Sequence, residues 1–353
     1  MHAIRLTRAG ARLQDAELPD PIPGPGEVAI DVAYAGICHS DAHYRAGAGR
    51  TRLPITLGHE VAGFIAEAGE GVDLWPGDRV AVHYLISCGE CGECRRGGEQ
   101  FCSRGAMIGK DRDGGYAQRI VVPARNAVRV PEEVPLEQAA IMMCSTATAF
   151  HALRLSGLRQ GESLAILGFG GLGVSAVQLA GMLDVSEIFA VDRVQEKLAL
   201  AAGFGTMPVD ASRGDIGEAL LQSTSGRGVD VILEFTGNAA VCRSALNALA
   251  PGGRLMIVAI DLRSLTIDPY RDLLARERRI IGCSDHTRSE LVELLDLARR
   301  GEIDLSHAVT RSVQLKAEAV DAVLDELESG TAELRTVIEV SPAPPADEEP
   351  APE

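Results

Sequence analysis

Residues 164–173 read Leu-Ala-Ile-Leu-Gly-Phe-Gly-Gly-Leu-Gly, an apolar run that passes directly into the pattern G-x-G-x-x-G. The run predicts a buried strand, and Leu172–Leu183 predicts the helix that follows it. In such a turn the first glycine permits the bend, the second lets the backbone approach a pyrophosphate, and the third allows close packing of helix on strand. The helix N-terminus then offers free N–H groups to the phosphates. The residues predicted to bind a dinucleotide here are Gly168, Gly170, Gly171, Leu172 and Gly173.

The residue that ends the next predicted strand indicates which dinucleotide binds. Asp192 follows Gly173 by 19 residues, where an acid accepts hydrogen bonds from the adenosine ribose hydroxyls and repels a 2′-phosphate. This favours NAD over NADP, but the neighbouring Arg193 is a side chain that could accommodate that phosphate. The weaker alternative is a glycine-rich loop in an α/β domain that binds no ligand.

After Cys144 the chain alternates short apolar runs with helical patterns. The predicted strands are Ser163–Leu167, Glu187–Val191, Val231–Glu234 and Arg254–Ala259. The predicted helices are Leu172–Leu183, Val194–Ala202, Asp215–Ser223, Ala239–Leu249 and Ser289–Arg300. Such alternation predicts an α/β domain with a doubly wound parallel sheet, the Rossmann arrangement.

The part before residue 146 has a different pattern, since short apolar runs there are separated by Gly/Pro turns. The predicted strands are Val28–Val32, Val61–Glu67, Arg79–Val82 and Arg119–Val122. This predicts a β-rich domain, a small barrel or sandwich. Near the C-terminus, Lys316–Glu328 predicts a helix and Arg335–Val340 a final strand.

Four cysteines lie at metal-ligand spacing within 15 residues, with glycines between them that let the chain bend around an ion. They are Cys88, Cys91, Cys94 and Cys102, in the pattern C-x2-C-x2-C-x7-C. Four thiolates saturate a tetrahedral zinc ion and leave no open position, so the pattern predicts a structural zinc site. An iron–sulfur cluster and a pair of disulfides are the alternatives that spacing alone leaves open.

A second group of metal-binding residue types is spread along the chain. Cys38 follows a predicted strand, His59 stands in Gly58-His59-Glu60, and Cys144 lies where the pattern changes. Two cysteines and one histidine leave one position of a zinc ion vacant, which is typical of catalytic zinc. Taken singly, each residue is as well explained by an ordinary buried side chain.

The length and the net charge of the chain limit the number of its domains and the kinds of partner that it can bind. With 353 residues it is long enough for two domains. A formal net charge of −16 disfavours binding to a nucleic-acid backbone.

Residues 341–353 are rich in Pro, Ala and acids, which predicts a disordered tail. Ser163–Leu183 carries no charge, but its glycines favour a buried strand–turn–helix over a membrane span. The N-terminus shows no apolar export signal, which with the metal-like cysteines predicts a cytoplasmic protein.

These motifs together resemble the zinc-dependent alcohol dehydrogenases of the medium-chain dehydrogenase/reductase family, over about residues 3–340. The resemblance implies that Cys38, His59 and Cys144 bind a catalytic zinc ion and that the clustered cysteines bind a structural one. Residues beside the metal or in a proton relay are implied to be Ser40, Asp41, His43 and Glu60. In addition to Asp192 and Arg193, which follow from their position after the glycine turn, the resemblance implies cofactor contacts for His39, Thr148, Lys197 and Arg335.

The resemblance also implies an architecture and a reaction. A β-rich, GroES-like catalytic domain would span 1–146 and take back 285–340, a Rossmann domain would span 147–284, and the active site would lie between them. A zinc-bound alcohol would lose its proton through Ser40, the nicotinamide ribose and His43, and its hydride to NAD. The expected protein is a homodimer or homotetramer that acts on a small alcohol or aldehyde, with two zinc ions per chain.

Residue identities narrow the expected substrate only in part. Related polyol dehydrogenases often carry Glu where Cys144 stands, so Cys144 favours a simple alcohol. Zinc-free quinone reductases of the same fold lack both metal sites and are disfavoured. Asp261–Tyr270 and Cys283–His286 depart from the family pattern. A polyol, aromatic-alcohol or hydroxy-acid dehydrogenase remains an alternative, as does a zinc-stabilised binding protein of this fold that has lost catalysis.

Overall fold

The computed structural model describes residues 1–340, and the tail predicted for 341–353 lies outside the described residues. The chain divides into two compact units. The first contains Met1–Met143 together with the segment that begins at Val309, and the second is Cys144–Ala308.

The first unit consists mainly of β-strands. Its strands are β1 His2–Leu6, β2 Gln14–Glu17, β3 Glu27–Ile37, β4 Ile55–Thr56, β5 Glu60–Ala68, β6 Arg79–Val82, β7 Leu85–Ile86, β8 Ala106–Met107, β9 Arg119–Pro123, β10 Ala127–Arg129, β17 Val309–Gln314 and β18 Arg335–Glu339. Its helices are α1 His39–Arg45, α2 Gly92–Arg95, α3 Leu136–Ile141 and α10 Ala317–Ser329. The largest sheet has the order β10-β6-β5-β3-β18-β17, and β9 also pairs with β3. The β-rich domain predicted from the Gly/Pro-punctuated runs is therefore present.

Strand β3 is the central strand of that sheet. It pairs antiparallel with β5, β9 and β18, and most of its side chains are buried. Burial on both faces explains why its sequence is an almost continuous run of small and β-branched apolar residues. The pairing with β5 sets Gly36 opposite Glu60, and the strand ends at Ile37, one residue before the predicted ligand Cys38.

The second unit is a six-stranded parallel sheet with helices. Its strands are β11 Ser163–Leu167, β12 Glu187–Asp192, β13 Met207–Asp210, β14 Val229–Glu234, β15 Leu249–Ile257 and β16 Arg279–Gly282. Its helices are α4 Ala147–Ser156, α5 Gly171–Gly181, α6 Gln195–Gly203, α7 Ile216–Ser223, α8 Ala239–Asn247 and α9 Arg288–Arg299. The order β13-β12-β11-β14-β15-β16 confirms the predicted doubly wound sheet. The order of strand addition reverses between the parallel strands β11 and β14, and sheets of this kind bind ligands beyond the strand ends at such a point.

Two strands of this sheet were not predicted, for identifiable reasons. Strand β13 has four residues, one of them Pro208, and β16 begins with a charged Arg279, so neither gives an apolar run. Both lie at sheet edges, where such residues are tolerated.

The segment that returns to the first unit begins at Val309, later than the predicted 285. The difference is explained by helix α9, which packs on α4 within the second unit. His151 on α4 lies 2.9 Å from Glu290 on α9, and Arg154 bonds to Glu293 one turn further on.

Ser163–Leu183 forms β11 and α5, as predicted from its glycines. Within residues 1–340, no helix is both long enough and apolar enough to cross a membrane.

Candidate active site

Cys38 and the start of helix α1 form the first element of the site. Cys38 is the N-cap of α1, and its backbone N–H donates to Asp41 Oδ2 over 3.1 Å. The carboxylate in the first turn satisfies a backbone donor that the helix leaves unpaired, so α1 begins at a fixed point. The Ser40 hydroxyl then lies 3.8 Å from Cys38 Sγ.

Asp41 connects this helix to His59. It is completely buried, and its Oδ1 lies 3.2 Å from His59 Nδ1 and accepts the Gly58 N–H over 3.3 Å. Its Oδ2 accepts the phenol of Tyr116 over 2.8 Å. A carboxylate bonded to Nδ1 directs the other ring nitrogen of a histidine toward a metal and fixes its tautomer.

Gly58 lets the chain turn so that His59 faces inward. Its φ is +93°, which an L side chain rarely adopts, and a Cβ there would lie 2.3 Å from the Tyr116 ring. Only glycine fits both the backbone angle and this close packing. The pattern Gly58-His59-Glu60 is thereby explained by the structure: the glycine makes the bend that places the two residues after it.

The predicted catalytic ligands are close together. The ligand atoms of Cys38, His59, Glu60 and Cys144 all lie within 4.8 Å of one another. Cys144 is in a π-helical turn, Met142–Thr146, between α3 and α4. Such turns are rare and frequent at functional sites.

This donor set fits a zinc ion. His59 Nε2 is buried and has no hydrogen-bond partner among residues 1–340, although a buried ring nitrogen costs free energy when nothing bonds to it. Two sulfurs, one imidazole nitrogen and a carboxylate oxygen are ligands that zinc accepts at tetrahedral sites. Cys38, His59 and Cys144 would hold the ion, with Glu60 next to them.

Glu60 pairs with Arg335. The Arg335 guanidinium donates to Glu60 Oε2, and both side chains are buried. Burial raises the pKa of Glu60 to about 7, although the Arg335 charge opposes the rise. The structure places Arg335 beside Glu60, and the pyrophosphate contact implied for Arg335 stays a prediction.

The four clustered cysteines form a separate lobe between β7 and β8. Their sulfurs lie within 4.8 Å of one another, and Cys91 Sγ is 3.4 Å from Cys94 Sγ. Backbone N–H groups point at the sulfurs: Cys91 N–H donates to Cys88 Sγ and Cys88 N–H to Cys102 Sγ, each over 3.3 Å.

Backbone donors favour the thiolate form of Cys88, the form that binds zinc. The backbone N–H groups of Glu90 and Cys91 lower the pKa of the Cys88 thiol to about 6, although its burial opposes the fall. The eight cysteines, all within the described residues, form no disulfide in this structure. The arrangement fits a structural zinc ion with no open position.

The glycine turn after β11 has the geometry that a dinucleotide requires. Gly168 has a φ of +92°, and a Cβ on Gly173 would lie 2.8 Å from the Gly168 carbonyl oxygen, so helix α5 packs closely on the turn. A Cβ on Gly170, the N-cap of α5, would meet no atom within 4 Å. The turn therefore leaves open space at the helix N-terminus, where phosphates bind.

Asp192 ends β12 beside this turn and is held by three backbone donors. Its Oδ2 accepts the Phe169 N–H over 2.8 Å, and its Oδ1 accepts the N–H groups of Arg193 and Val194 over 2.8 and 3.0 Å. The carboxylate thus joins the glycine turn to the start of α6. Oδ2 accepts only one of these donors and keeps a further lone pair that a ribose hydroxyl could use.

The remaining predicted residues lie on the same elements. His39 and His43 are on α1 with ring centroids 4.8 Å apart. Thr148 is half-buried on α4, Arg193 is exposed after β12, and Lys197 is half-buried on α6.

Tyr116 is the site residue that the sequence analysis missed. It is fully buried and bonds to Asp41, which lies 75 residues away in sequence. The only sequence signal is the pair of glycines before it, Gly114 and Gly115, which marks close packing. Nothing in a single chain distinguishes such a tyrosine from a core aromatic residue.

Comparison with known proteins places the chain among characterised dehydrogenases. Residues 24–132 match the family model of the alcohol dehydrogenase GroES-like domain, and residues 171–300 match that of zinc-binding dehydrogenases. An NAD-dependent alcohol dehydrogenase of Sulfolobus acidocaldarius is 33% identical over 97% of this chain and 100% of its own length. An alcohol dehydrogenase of Geobacillus stearothermophilus is 33% identical over 93% of this chain and 96% of its own. The crystal structure of the Aeropyrum pernix alcohol dehydrogenase superposes with a TM-score of 0.88 at 32% identity, covering 96% of this chain and 100% of that one. These matches confirm the resemblance and the GroES-like assignment.

Proposed function

The chain belongs to the zinc-binding alcohol dehydrogenases of the medium-chain dehydrogenase/reductase family, and from this membership we propose that it reversibly oxidises a primary or secondary alcohol to an aldehyde or ketone with hydride transfer to NAD. One observation carries the proposal. The ligand atoms of Cys38, His59, Glu60 and Cys144 lie within 4.8 Å of one another, and His59 Nε2 is buried there with no hydrogen-bond partner in the described part of the chain.

The chain's own residues prepare this site. Asp41 accepts from three donors around it and fixes the His59 ring, and Tyr116 in turn fixes Asp41. When bound, zinc supplies a Lewis acid that lowers the pKa of an alcohol, and NAD accepts the hydride. Cys38 and Cys144 offer thiolates, which reduce the net charge of the occupied centre.

Ser40 and His43 are proposed to move the proton of the alcohol. Ser40 Oγ lies next to Cys38 Sγ, so its hydroxyl can accept a proton near the ligand cluster and donate its own. His43 is one turn further along α1 and half-buried, so it can release that proton to solvent. Histidine suits this step because imidazole exchanges protons near neutral pH.

Asp192 and the glycine turn are proposed to hold the cofactor. The open space at Gly170 accommodates the pyrophosphate, and the Asp192 carboxylate repels a 2′-phosphate. The proposed cofactor is therefore NAD, with Thr148, Lys197, His39 and Arg335 as further proposed contacts. A cytoplasmic homodimer or homotetramer is part of the proposal, and light scattering of the purified protein measures its mass.

The experiment is metal analysis combined with an NADH absorbance assay. The purified protein is tested with short, long, branched and aromatic alcohols, with polyols and hydroxy acids, with NADP in place of NAD, and after chelation. We expect two zinc ions per chain and chelator-sensitive NADH formation. His59→Ala is expected to hold one zinc ion and to lose turnover. The control Cys242→Ser changes a buried thiol that lies outside both clusters and is expected to behave as the unchanged protein.

Two outcomes would contradict the proposal. Full activity of His59→Ala would exclude His59 as a ligand of a catalytic metal. One zinc ion per chain without turnover of any substrate would mean that only the four-cysteine lobe is filled. The chain would then be interpreted as a zinc-stabilised binding protein and not as an enzyme.

A further inference from the structure

Two buried hydroxyl groups join the start of helix α4 to helix α5 in the second unit. Thr146 and Ser175 are 0% and 1% exposed, and their side-chain oxygens lie 2.9 Å apart. The Ser175 hydroxyl donates to the Gly171 carbonyl over 3.0 Å. Because a hydroxyl carries one hydrogen, Thr146 is then the donor to Ser175. We name this pair of bonds, from Thr146 Oγ1 through Ser175 Oγ to the Gly171 carbonyl, the hydroxyl bridge.

One end of the hydroxyl bridge restrains the turn that carries Cys144. Thr146 is the last residue of the π-helical turn Met142–Thr146 and the N-cap of α4. A threonine at an N-cap commonly bonds to the first backbone N–H groups of its own helix. Thr146 makes no such bond, and its hydroxyl is directed to α5 instead. The hydroxyl bridge therefore holds a turn of rare geometry, two residues after a proposed zinc ligand.

The other end of the hydroxyl bridge lies at the glycine turn. Gly171 is the first residue of α5 and follows the N-cap Gly170, where the proposed pyrophosphate site is open. A Cβ on Gly173 would lie 2.8 Å from the Gly168 carbonyl oxygen, so the start of α5 is packed tightly on the turn. A phosphate that accepts N–H groups at this helix start fixes the same backbone that carries the Gly171 carbonyl.

The bond between Thr146 and Ser175 is sensitive to small displacements. Both hydroxyls are buried, so a group that loses its partner has no water to replace it and costs free energy. A shift of about 1 Å would take the oxygen–oxygen distance of 2.9 Å out of hydrogen-bond range. Ser175 is satisfied by Gly171 alone, as serines within helices often are by the preceding turn. The added bond from Thr146 therefore favours one position of the π-helical turn relative to the start of α5.

We propose that Thr146 and Ser175 are positioning residues that couple dinucleotide binding at the glycine turn to metal binding by Cys144. The inference rests on the proposed function, from which it takes the NAD site and the zinc site. Phosphates that fix the start of α5 also restrain the π-helical turn through the hydroxyl bridge. Cys144 then loses less conformational freedom when it binds the metal, so each ligand strengthens the binding of the other.

The test measures the zinc affinity of the intact protein in the presence of fragments of NAD. ADP-ribose carries the pyrophosphate but no nicotinamide, so it excludes a direct contact between that ring and the metal, and AMP lacks the pyrophosphate. Competition with a chromogenic chelator gives the zinc affinity of the catalytic site without nucleotide, with ADP-ribose and with AMP. We expect ADP-ribose to strengthen zinc binding about tenfold, within the range typical of coupled sites, and AMP to have little effect. The zinc of the four-cysteine lobe is the internal control.

Two further measurements examine the same coupling from the other side. Calorimetry gives the affinity for ADP-ribose with the catalytic site filled and emptied of zinc, and linkage requires the same factor as the chelator experiment. Hydrogen exchange needs no metal at that site. ADP-ribose should slow amide exchange in residues 142–149 of the protein whose catalytic site is empty, because the π-helical turn opens less often.

Two variants break the hydroxyl bridge from opposite ends. Thr146→Val removes the hydroxyl and keeps the shape of the side chain, and Ser175→Ala removes the oxygen in the middle. In each, the effect of ADP-ribose on zinc affinity should fall from about tenfold to less than about twofold. Thr146→Ser keeps the hydroxyl and should retain the effect.

Ser156→Ala is the matched control. It removes another buried hydroxyl at the far end of α4, which donates to the Leu153 carbonyl over 2.6 Å, and should leave the coupling unchanged. Any affinity of the free nucleotides for zinc is the same with every variant, so differences between variants report on the protein. Thermal unfolding confirms that the variants fold.

Four results would overturn the inference. If ADP-ribose leaves the zinc affinity of the unchanged protein as it is, the two sites are independent, and the proposed function stands because it requires only that both ligands bind. If the full effect persists in Thr146→Val and Ser175→Ala, the coupling takes another route. If Ser156→Ala also abolishes it, the effect is one of general packing. If the unchanged protein binds no catalytic zinc or no ADP-ribose, the proposed function fails and the inference fails with it.

Discussion

Tyr116 donates its phenol hydrogen to Asp41 over 2.8 Å, and the same carboxylate lies 3.2 Å from His59 Nδ1. All three side chains are fully buried. Burial, together with the Asp41 charge, raises the pKa of Tyr116 well above its ordinary value, so the hydroxyl stays protonated and remains a donor. The Tyr116 hydroxyl therefore fixes the position of the Asp41 carboxylate. The carboxylate in turn fixes the ring of His59, a proposed zinc ligand.

The first prediction concerns Tyr116→Phe, which removes one oxygen and keeps the ring that packs on Gly58. The Asp41 carboxylate loses a fixed partner, so we expect the affinity of the catalytic site for zinc to fall 10- to 100-fold, as removal of such supporting groups does elsewhere. Competition with a chromogenic chelator measures the loss. The zinc in the four-cysteine lobe is the internal control and should be released as in the unchanged protein. Equal release from both sites in variant and parent would show that Tyr116 only fills space.

The second prediction tests the proposed relay through His43→Ala. Loss of a positioned proton acceptor should slow alcohol oxidation on the order of 100-fold where hydroxide is scarce, at pH 6–7, and much less at pH 9. Added imidazole should restore part of the rate. His2→Ala, a change of another partly exposed histidine in the first unit, is the control. A pH profile that keeps its shape in His43→Ala would remove His43 from the proton path.

The third prediction concerns Asp192. Its carboxylate accepts backbone N–H groups, and its negative charge is proposed to select NAD over NADP. Asp192→Asn keeps one acceptor oxygen for the backbone donors of Phe169, Arg193 and Val194 but removes the charge, so KM should rise for NAD and fall for NADP. Asp192→Ala should shift the preference likewise and also lower stability by about 1–3 kcal/mol, because those N–H groups lose their acceptor. Kinetics with both cofactors and thermal unfolding separate the two effects. An unaltered NAD preference in both variants would assign the selectivity to Arg193 or to another residue.

The sequence predicted most of the fold because its strongest signals are local. The run before Gly168 gives a strand from Ser163 to Leu167, as predicted, since apolar residues, glycine turn and helix follow one another along the chain. The unpredicted edge strand β13 contains Pro208 and too few apolar residues to give such a signal. Cys38, His59 and Cys144 could be grouped only through the family resemblance, because they are far apart in sequence. Tyr116 remained unrecognised because its partner Asp41 is brought to it by the pairing of distant strands and by no local pattern.

The last prediction concerns an ion pair in the second unit between the buried Arg254 and the partly exposed Glu162. Arg254 donates to both carboxylate oxygens, over 2.9 and 2.7 Å, and also to the carbonyls of Ser156 and Gly157. Its side chain is only 5% exposed, so the pair ties β15 to the end of helix α4. The hydrogen bonds from Arg254 lower the pKa of Glu162 below 4.5.

A carboxyl whose pKa is lowered on folding stabilises the protein above its unfolded-state value, and that stability is lost as pH falls through the folded-state pKa. Glu162→Gln should therefore destabilise the unit by about 2 kcal/mol near neutral pH, which lowers Tm by roughly 5 °C. The difference from the parent should shrink as pH falls below 4.5, the ordinary value. Glu293→Gln is the matched control, because its pair with Arg154 is about half exposed and contributes little. Thermal unfolding from pH 3 to pH 8 gives both curves. A difference for Glu162→Gln that stays constant over this range would show that the charge of Glu162 contributes nothing to stability and that only its shape matters.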